Sequence, residues 1–258
     1  MSTADDYARA AAFLSSFARR QAAELHEILG GVVVLDPSFP GSWEHNQVVL
    51  DGDPEPSGLP AAVDAALGHL SHRQVTILDD AVGAACAPAL TAAGYAHATE
   101  LIMTHSGAVP SATSRAEDVE LADLTPAVHK QLRSWMPDLD ESGIRQLVER
   151  RTARVRGAEE VSFLAVRDED GTIVSWADLY IDSGHAIGQI EEVMTADGYQ
   201  RRGYADALLT TALQRAADTT LFFLLADADD WPQTWYARRG FSTIGRFHKF
   251  SKTDATHA

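Results

Sequence analysis

From residue 117 onward, apolar side chains recur with two different periods, and the change from one to the other marks out the elements. Residues 118–124 read as a strand, and 126–135 and 141–156 as helices with apolar positions every three or four residues. Strands are predicted over 161–166 and 172–181, joined by Asp168-Glu169-Asp170-Gly171, a hairpin signal. A strand over 187–195 follows, then a helix over 205–217, a strongly apolar strand over 221–226, a helix over 229–239 and a last strand over 241–251. This order, β-α-α-β-β-β-α-β-α-β, predicts an α/β fold of the α+β kind: a mixed sheet with helices on its faces.

The upstream pattern is weaker. Residues 6–29 are rich in alanine, with Phe13, Phe17, Leu25 and Leu29 at helical spacing, and predict one long helix. Strands over 31–35 and 46–50, a helix over 59–70, a strand over 74–78 and a helix over 81–93 come next. Gly94-Tyr95 then opens a strand that ends near Thr104. Residues 106–117 (SGAVPSATSRAE) are small, polar and carry Pro110, which reads as a connection between domains. The expected division is 1–108, a linker at 109–116, and 117–258.

The junction after the 187–195 strand carries the clearest chemistry. Gln200-Arg201-Arg202-Gly203-Tyr204-Ala205 runs straight into a helix. A helix start leaves several N–H groups unpaired at the positive end of the dipole, where an anion is stabilised. Gly203 removes the Cβ that would keep a phosphate from the backbone, and Arg201 and Arg202 add charge at the rim. Neither the Walker spacing nor the dinucleotide fingerprint is present.

The six residues match Q/R-x-x-G-x-G/A, and Tyr236-Ala237-Arg238-Arg239-Gly240-Phe241 matches a second pattern, Y-x-x-x-G-F. On these two motifs, and the helix and strand between them, the sequence resembles the GNAT superfamily of N-acetyltransferases. The resemblance implies a GNAT fold in the C-terminal domain with acetyl-CoA as co-substrate, its pyrophosphate on residues 200–205. The pantetheine arm would then lie along the backbone of Val193, Met194 and Thr195. Asp229 stands where the family has an Asn near the pantetheine or acceptor, which puts the contacts of that Asn in doubt. Ala93-Gly94-Tyr95 echoes Arg239-Gly240-Phe241, so residues 1–108 resemble a smaller, degenerate GNAT-like α/β domain of a tandem protein; an unrelated small α/β domain is the alternative. The loop at 51–58 carries Asp51, Asp53, Glu55, Pro54 and Pro56 and lacks the pyrophosphate pattern. Such a loop repels phosphate.

Transfer of an acetyl group to an amine needs a proton acceptor, a polarised carbonyl and a proton for the departing thiolate. Glu191 and Glu192 are the candidate acceptors, of which strand alternation lets only one face the substrate. Glu191 shares the parity of Val193 and Thr195 and is preferred; the alternative is a solvated strand-end carboxylate. Tyr236 stands at the family's general-acid position. The acceptor would be framed by residues 134–140, 175–181 and the last strand, with Trp135, Met136, Trp176, Tyr180, Trp231 and Trp235 as walls and Asp178, Asp182 and Asp227 to meet a cation.

Charge and composition narrow the partners. At 258 residues and net charge −16, the chain lacks the basic surface that nucleic acid demands. An acidic surface favours a cationic acceptor mildly and solubility generally. One cysteine, Cys86, excludes an internal disulfide framework and suits a reducing cytoplasm. No apolar run is long enough for a membrane span, residues 1–21 do not read as a signal peptide, and no His/Cys spacing suggests a metal. The expectation is therefore a cytoplasmic N-acetyltransferase, monomer or homodimer, acting on a primary amine of a small molecule by direct attack in a ternary complex. Open alternatives are an acyl-CoA-binding sensor or scaffold, and transfer to a protein amine or a natural-product hydroxyl.

Overall fold

Ser2 starts the first helix with a reciprocal cap, its hydroxyl accepting from the Asp5 N–H at 3.2 Å while its own N–H donates to Asp5 Oδ2 at 3.0 Å. The computed structural model describes residues 2–253. The first elements are α1 (Thr3–Gln21), β1 (Glu24–Ile28), β2 (Gly31–Leu35), β3 (Gln47–Leu50), α2 (Leu59–Leu67), β4 (His72–Ile77), α3 (Asp80–Ala92) and β5 (Ala96–His105). Then follow β6 (Glu117–Asp118), α4 (Leu121–Trp135), α5 (Glu141–Glu149), α6 (Arg151–Arg154), β7 (Glu160–Arg167), β8 (Ile173–Asp182) and β9 (Ile187–Thr195). The chain closes with α7 (Tyr204–Arg215), β10 (Leu221–Asp227), α8 (Pro232–Ala237) and β11 (Phe241–Thr253). It folds as two compact units: the first takes residues up to Thr104 and again from Leu225, the second is His105–Leu224.

In the first unit the strands lie in the order β1-β2-β3-β4-β11-β5. β3 and β4 are parallel, with Val48 opposite Val75, and β11 runs antiparallel to β4, with His248 opposite Ile77. The core joins Val48, Leu50, Val75 and Ile77 to Leu59, Val63 and Leu67 of α2, Cys86 and Leu90 of α3, and Phe250 of β11. Burying each large apolar side chain contributes about 1.5–3 kcal/mol. The last strand is thus part of this core. It seats closely on α3, where a Cβ on Gly83 would come within 2.1 Å of the His248 ring.

The long helix expected over 6–29 stops at Gln21. Leu25 and Leu29 continue its apolar period, but Gly30, at φ +85°, and Gly31 turn the segment back as a hairpin, so β1 pairs with β2 and both leucines are exposed. In the second unit the strand expected over 118–124 shrinks to β6, because Leu121, Leu124 and Val128 form a helical face and α4 begins ahead of Pro126. The helix expected over 141–156 breaks at Arg150 into α5 and the single turn α6.

The second unit's strands follow the order β10-β9-β8-β7-β6, with β9 parallel to β10 and the other pairs antiparallel. Every residue of β8 is buried. Leu124, Val128, Ile144 and Val148 of α4 and α5 pack on Phe163, Ala165, Ile173 and Trp176. The predicted hairpin turn is present, with the Asp168 side chain accepting from the N–H groups of Asp170 and Thr172. Residues 106–116 form neither helix nor strand and run along α7, where Gln214 Nε2 donates to the carbonyls of Pro110 (2.8 Å) and Ala112 (2.9 Å).

Candidate functional site

The site begins with an irregularity in β9. Trp176 stands opposite Met194 and Asp178 opposite Glu191, so Glu192 and Val193 together face the single residue Ala177. That is a β-bulge, and Glu192 takes it up at φ +50°. Alternation therefore fails across this segment, and the parity argument for preferring Glu191 fails with it. On its other side β9 pairs with β10 only through Ile187–Gln189, opposite Leu221–Phe223 among the described residues. From Ile190 to Thr195 the backbone is outside that ladder, an arrangement suited to pairing with an extended amide-bearing chain. Ser175 Oγ donates to the Met194 carbonyl at 2.6 Å and lies 2.9 Å from Thr195 Oγ1, which fixes this stretch on the β8 side.

Beyond Thr195 the chain turns sharply into α7. Gly198, Arg201 and Gly203 all have positive φ, at +83°, +62° and +76°. Gly203 is the N-cap, provides no side-chain acceptor for the first turn, and would place a Cβ in open space. The turn leads into a helix start whose first N–H groups have no side-chain acceptor, a setting that fits an anion. Gln200 Nε2 donates to Asp197 Oδ1 at 3.0 Å, Arg202 donates to the Gly198 carbonyl at 3.1 Å, and both Arg201 and Arg202 are exposed. Arg115 braces the turn from outside, donating to the Arg202 carbonyl at 3.0 Å with its guanidinium 4.2 Å above the Tyr204 ring. Tyr204 is buried and Ala205 partly so.

The two carboxylates of β9 have different surroundings. Glu191 is partly exposed and receives a long contact from Gln189 Nε2 at 3.5 Å. Glu192 is bound by three arginines: Arg150 Nη2 at 3.1 Å and Arg154 Nη2 at 2.7 Å on Oε1, and Arg151 Nη2 on Oε2. Arg151 and Arg154 also hold Asp178, at 3.3 and 2.6 Å, and the Tyr180 hydroxyl lies 3.3 Å from the same carboxylate. Asp178 is thus occupied by the protein's own cations, and Trp176 and Tyr180 are core residues, whereas Trp135 and Trp231 are exposed. Burial pushes the Arg151 guanidinium below the usual arginine range; Asp178 opposes this, and Arg154 and Arg150 add to it. Sequence reading missed this cluster, although Asp178 inside the apolar run Trp176–Tyr180 was a signal that a buried partner exists.

Tyr236 and Asp229 lie in the first unit. Tyr236 is 8% exposed, edge-on to Trp235 (5.0 Å) and Phe241 (5.8 Å), and burial pushes its phenol up to about 12. It therefore carries its proton throughout the neutral range. Asp229 is exposed and its N–H donates to Asp227 Oδ1 at 2.8 Å. Pro232 occupies the first turn of α8, a short helix that starts later than the 229–239 expectation. Among the described residues no group of three or more His, Cys, Asp or Glu is placed to hold a metal ion, and no helix is long and apolar enough to cross a membrane.

The site is thus a mixed sheet in which a bulged strand leads through a sharp turn into a helix start that has no side-chain cap. Residues 126–241 match the acetyltransferase (GNAT) family. Among solved structures, a functionally unknown conserved protein from Staphylococcus epidermidis is 12% identical, covering 90% of this chain and 94% of its own, with TM-score 0.67. A GCN5-related N-acetyltransferase from Kribbella flavida is 16% identical over 96% of this chain and 97% of its own, with TM-score 0.61. A tandem GNAT protein from the clavulanic acid biosynthesis pathway is 14% identical over 86% and 78%, with TM-score 0.52. These likenesses concern the fold. No curated protein matches the chain.

Proposed function

We propose that this protein transfers the acetyl group of acetyl-CoA to a primary amine of a small molecule by direct attack while both substrates are bound. The observation that carries the reading is the β9–α7 junction, in which a bulged strand released from its neighbour leads into an uncapped helix start inside a GNAT-family domain. The N–H groups and open Cβ position of residues 200–205 fit the pyrophosphate, and the backbone of Val193, Met194 and Thr195 fits the pantetheine arm. Glu191 takes the amine proton, directly or through water, as nitrogen attacks the thioester carbon. The C–S bond breaks and the thiolate takes a proton from Tyr236. Asp229, exposed and at the position of the family's Asn, is the further candidate for a donor or acceptor contact. Cys86 is fully buried with its thiol pushed up by burial, which supports direct attack over an acetyl-cysteine intermediate.

Isothermal titration with acetyl-CoA, followed by thiol release against a panel of small amines, tests this. Binding with release to any amine supports the enzyme. Binding without release to small amines, protein amines or hydroxyl acceptors supports a sensor or scaffold in its place, and absence of binding overturns the reading.

A further inference from the structure

Glu192 is a non-glycine residue in the left-handed region, a conformation that side chains with a Cβ adopt only where their surroundings impose it. What imposes it is visible. Its carboxylate, 25% exposed, is gripped by Arg150, Arg151 and Arg154, and the side chains of Arg151 and Arg154 are themselves only 2% and 1% exposed. Behind them lies Asp178, 0% exposed, on the neighbouring strand. Charges this dry hold their geometry firmly, because removing one leaves its partners uncompensated. Both Glu192 oxygens accept from guanidinium groups, two on Oε1 and one on Oε2, so a substrate proton would compete with three arginine donors for this carboxylate.

We propose that Glu192 is a positioning residue for the acetyl transfer: its arginine-bound carboxylate locks the β9 bulge, so that the N–H groups of the bulge stay clear of the β8–β9 ladder and are held where the acyl oxygen of the donor binds. The inference rests on the acetyltransferase reading above. The arginines of α6 thereby act on the reaction through the backbone of another element, and the price of the strained residue is met by the ion pairs.

The test compares Glu192→Gln, Glu192→Asp and Glu192→Gly with the unaltered full-length protein. In Glu192→Gln, kcat falls roughly 10²-fold, the loss typical of one misplaced oxyanion donor, while acetyl-CoA affinity by calorimetry falls far less. Hydrogen exchange over residues 191–195 quickens in the same variant. Glu192→Gly, which reaches positive φ without strain, recovers part of the lost kcat. A proton-accepting role predicts equal losses in the Gln and Gly variants, since neither side chain can take the proton, and that result would overturn the proposal. Unchanged kcat and exchange in Glu192→Gln would overturn it too. Should the Gln variant not fold, Glu192→Asp retains the charge, and slower turnover with quickened exchange is expected; wild-type values for both sink the idea. If the unaltered protein fails to bind acetyl-CoA, the functional reading falls, while the exchange measurement still decides whether the carboxylate locks the bulge.

Discussion

Each unit contains a parallel strand pair bridged by a helix, and the two strand-to-helix junctions differ in what becomes of their N–H groups. In the first unit, between β3 and α2, the chain uses them up. The N–H groups of Asp51 and Gly52 donate to the Gly30 carbonyl, Pro54 and Pro56 have none, and the Glu55 carboxylate accepts from Ser57 and Gly58 at 3.2 and 2.6 Å. Asp51 is tied to α1 through Ser15 (2.5 Å) and Arg19 (3.0 Å). An anion already occupies the helix start, supplied by the chain itself. Between β9 and α7 the cap is a glycine with no side-chain acceptor, and the charges at the rim are arginines. Parallel topology alone therefore does not make a phosphate site; unspent donors do.

If only the second junction serves the donor, damage linked to it must be large and damage to the first small. The largest effect is expected for Tyr236→Phe, which should lower kcat by roughly 10²–10⁴-fold, the usual worth of a general acid, with acetyl-CoA affinity unchanged by calorimetry. A variant as fast as the unaltered protein would remove Tyr236 from the mechanism. Gly203→Glu imports the chemistry of the first junction, adding both a carboxylate and a strained positive φ. The added carboxylate would face the pyrophosphate of the donor, so acetyl-CoA affinity should drop by roughly a factor of 10, about 1.4 kcal/mol; retained affinity would show that the pyrophosphate lies elsewhere.

A third prediction concerns pH. The Tyr236 phenol ionises near 12 in the folded protein and near 10 when unfolded, so between those values the folded state holds the extra proton. Its contribution to stability is complete below about pH 10 and is lost as pH rises through about 12. An ultraviolet titration should show one fewer high-pH tyrosine in Tyr236→Phe, and kcat should have no alkaline limb from this group below pH 10. The smallest effect is expected for Glu55→Gln. Hydrogen bonds from Ser57 and Gly58 hold the Glu55 carboxyl below the usual range, so its stabilising effect is present above pH 4.5 and lost on acidification. The variant should melt slightly lower at pH 7 with acetyl-CoA stoichiometry still at one; a second bound equivalent would make the first junction a latent site.

The elements were legible where period and punctuation agreed. The bounds of β2 and β9 were read correctly, and the position of α7 followed from the glycine and the apolar period behind it. Leu25, Leu29 and Val119 misled because a few apolar residues fit both periods, and the turn at Gly30 and the face formed by Leu121, Leu124 and Val128 decided otherwise. The bulge at Glu192 left no local mark, since its cause lies in arginines about forty positions earlier, and pairing across such separations is settled by tertiary packing. The partnership of β11 with β4 was hidden for the same reason.

Phe250 and the strand that carries it also constrain how the chain reaches its native state during synthesis. The first unit cannot finish its core until residues beyond 241 have left the ribosome, whereas His105–Leu224 is continuous and can close as soon as it emerges. The segment made first is completed last, and until then the edge of β4 and the side of α3 that receive β11 lack their partner.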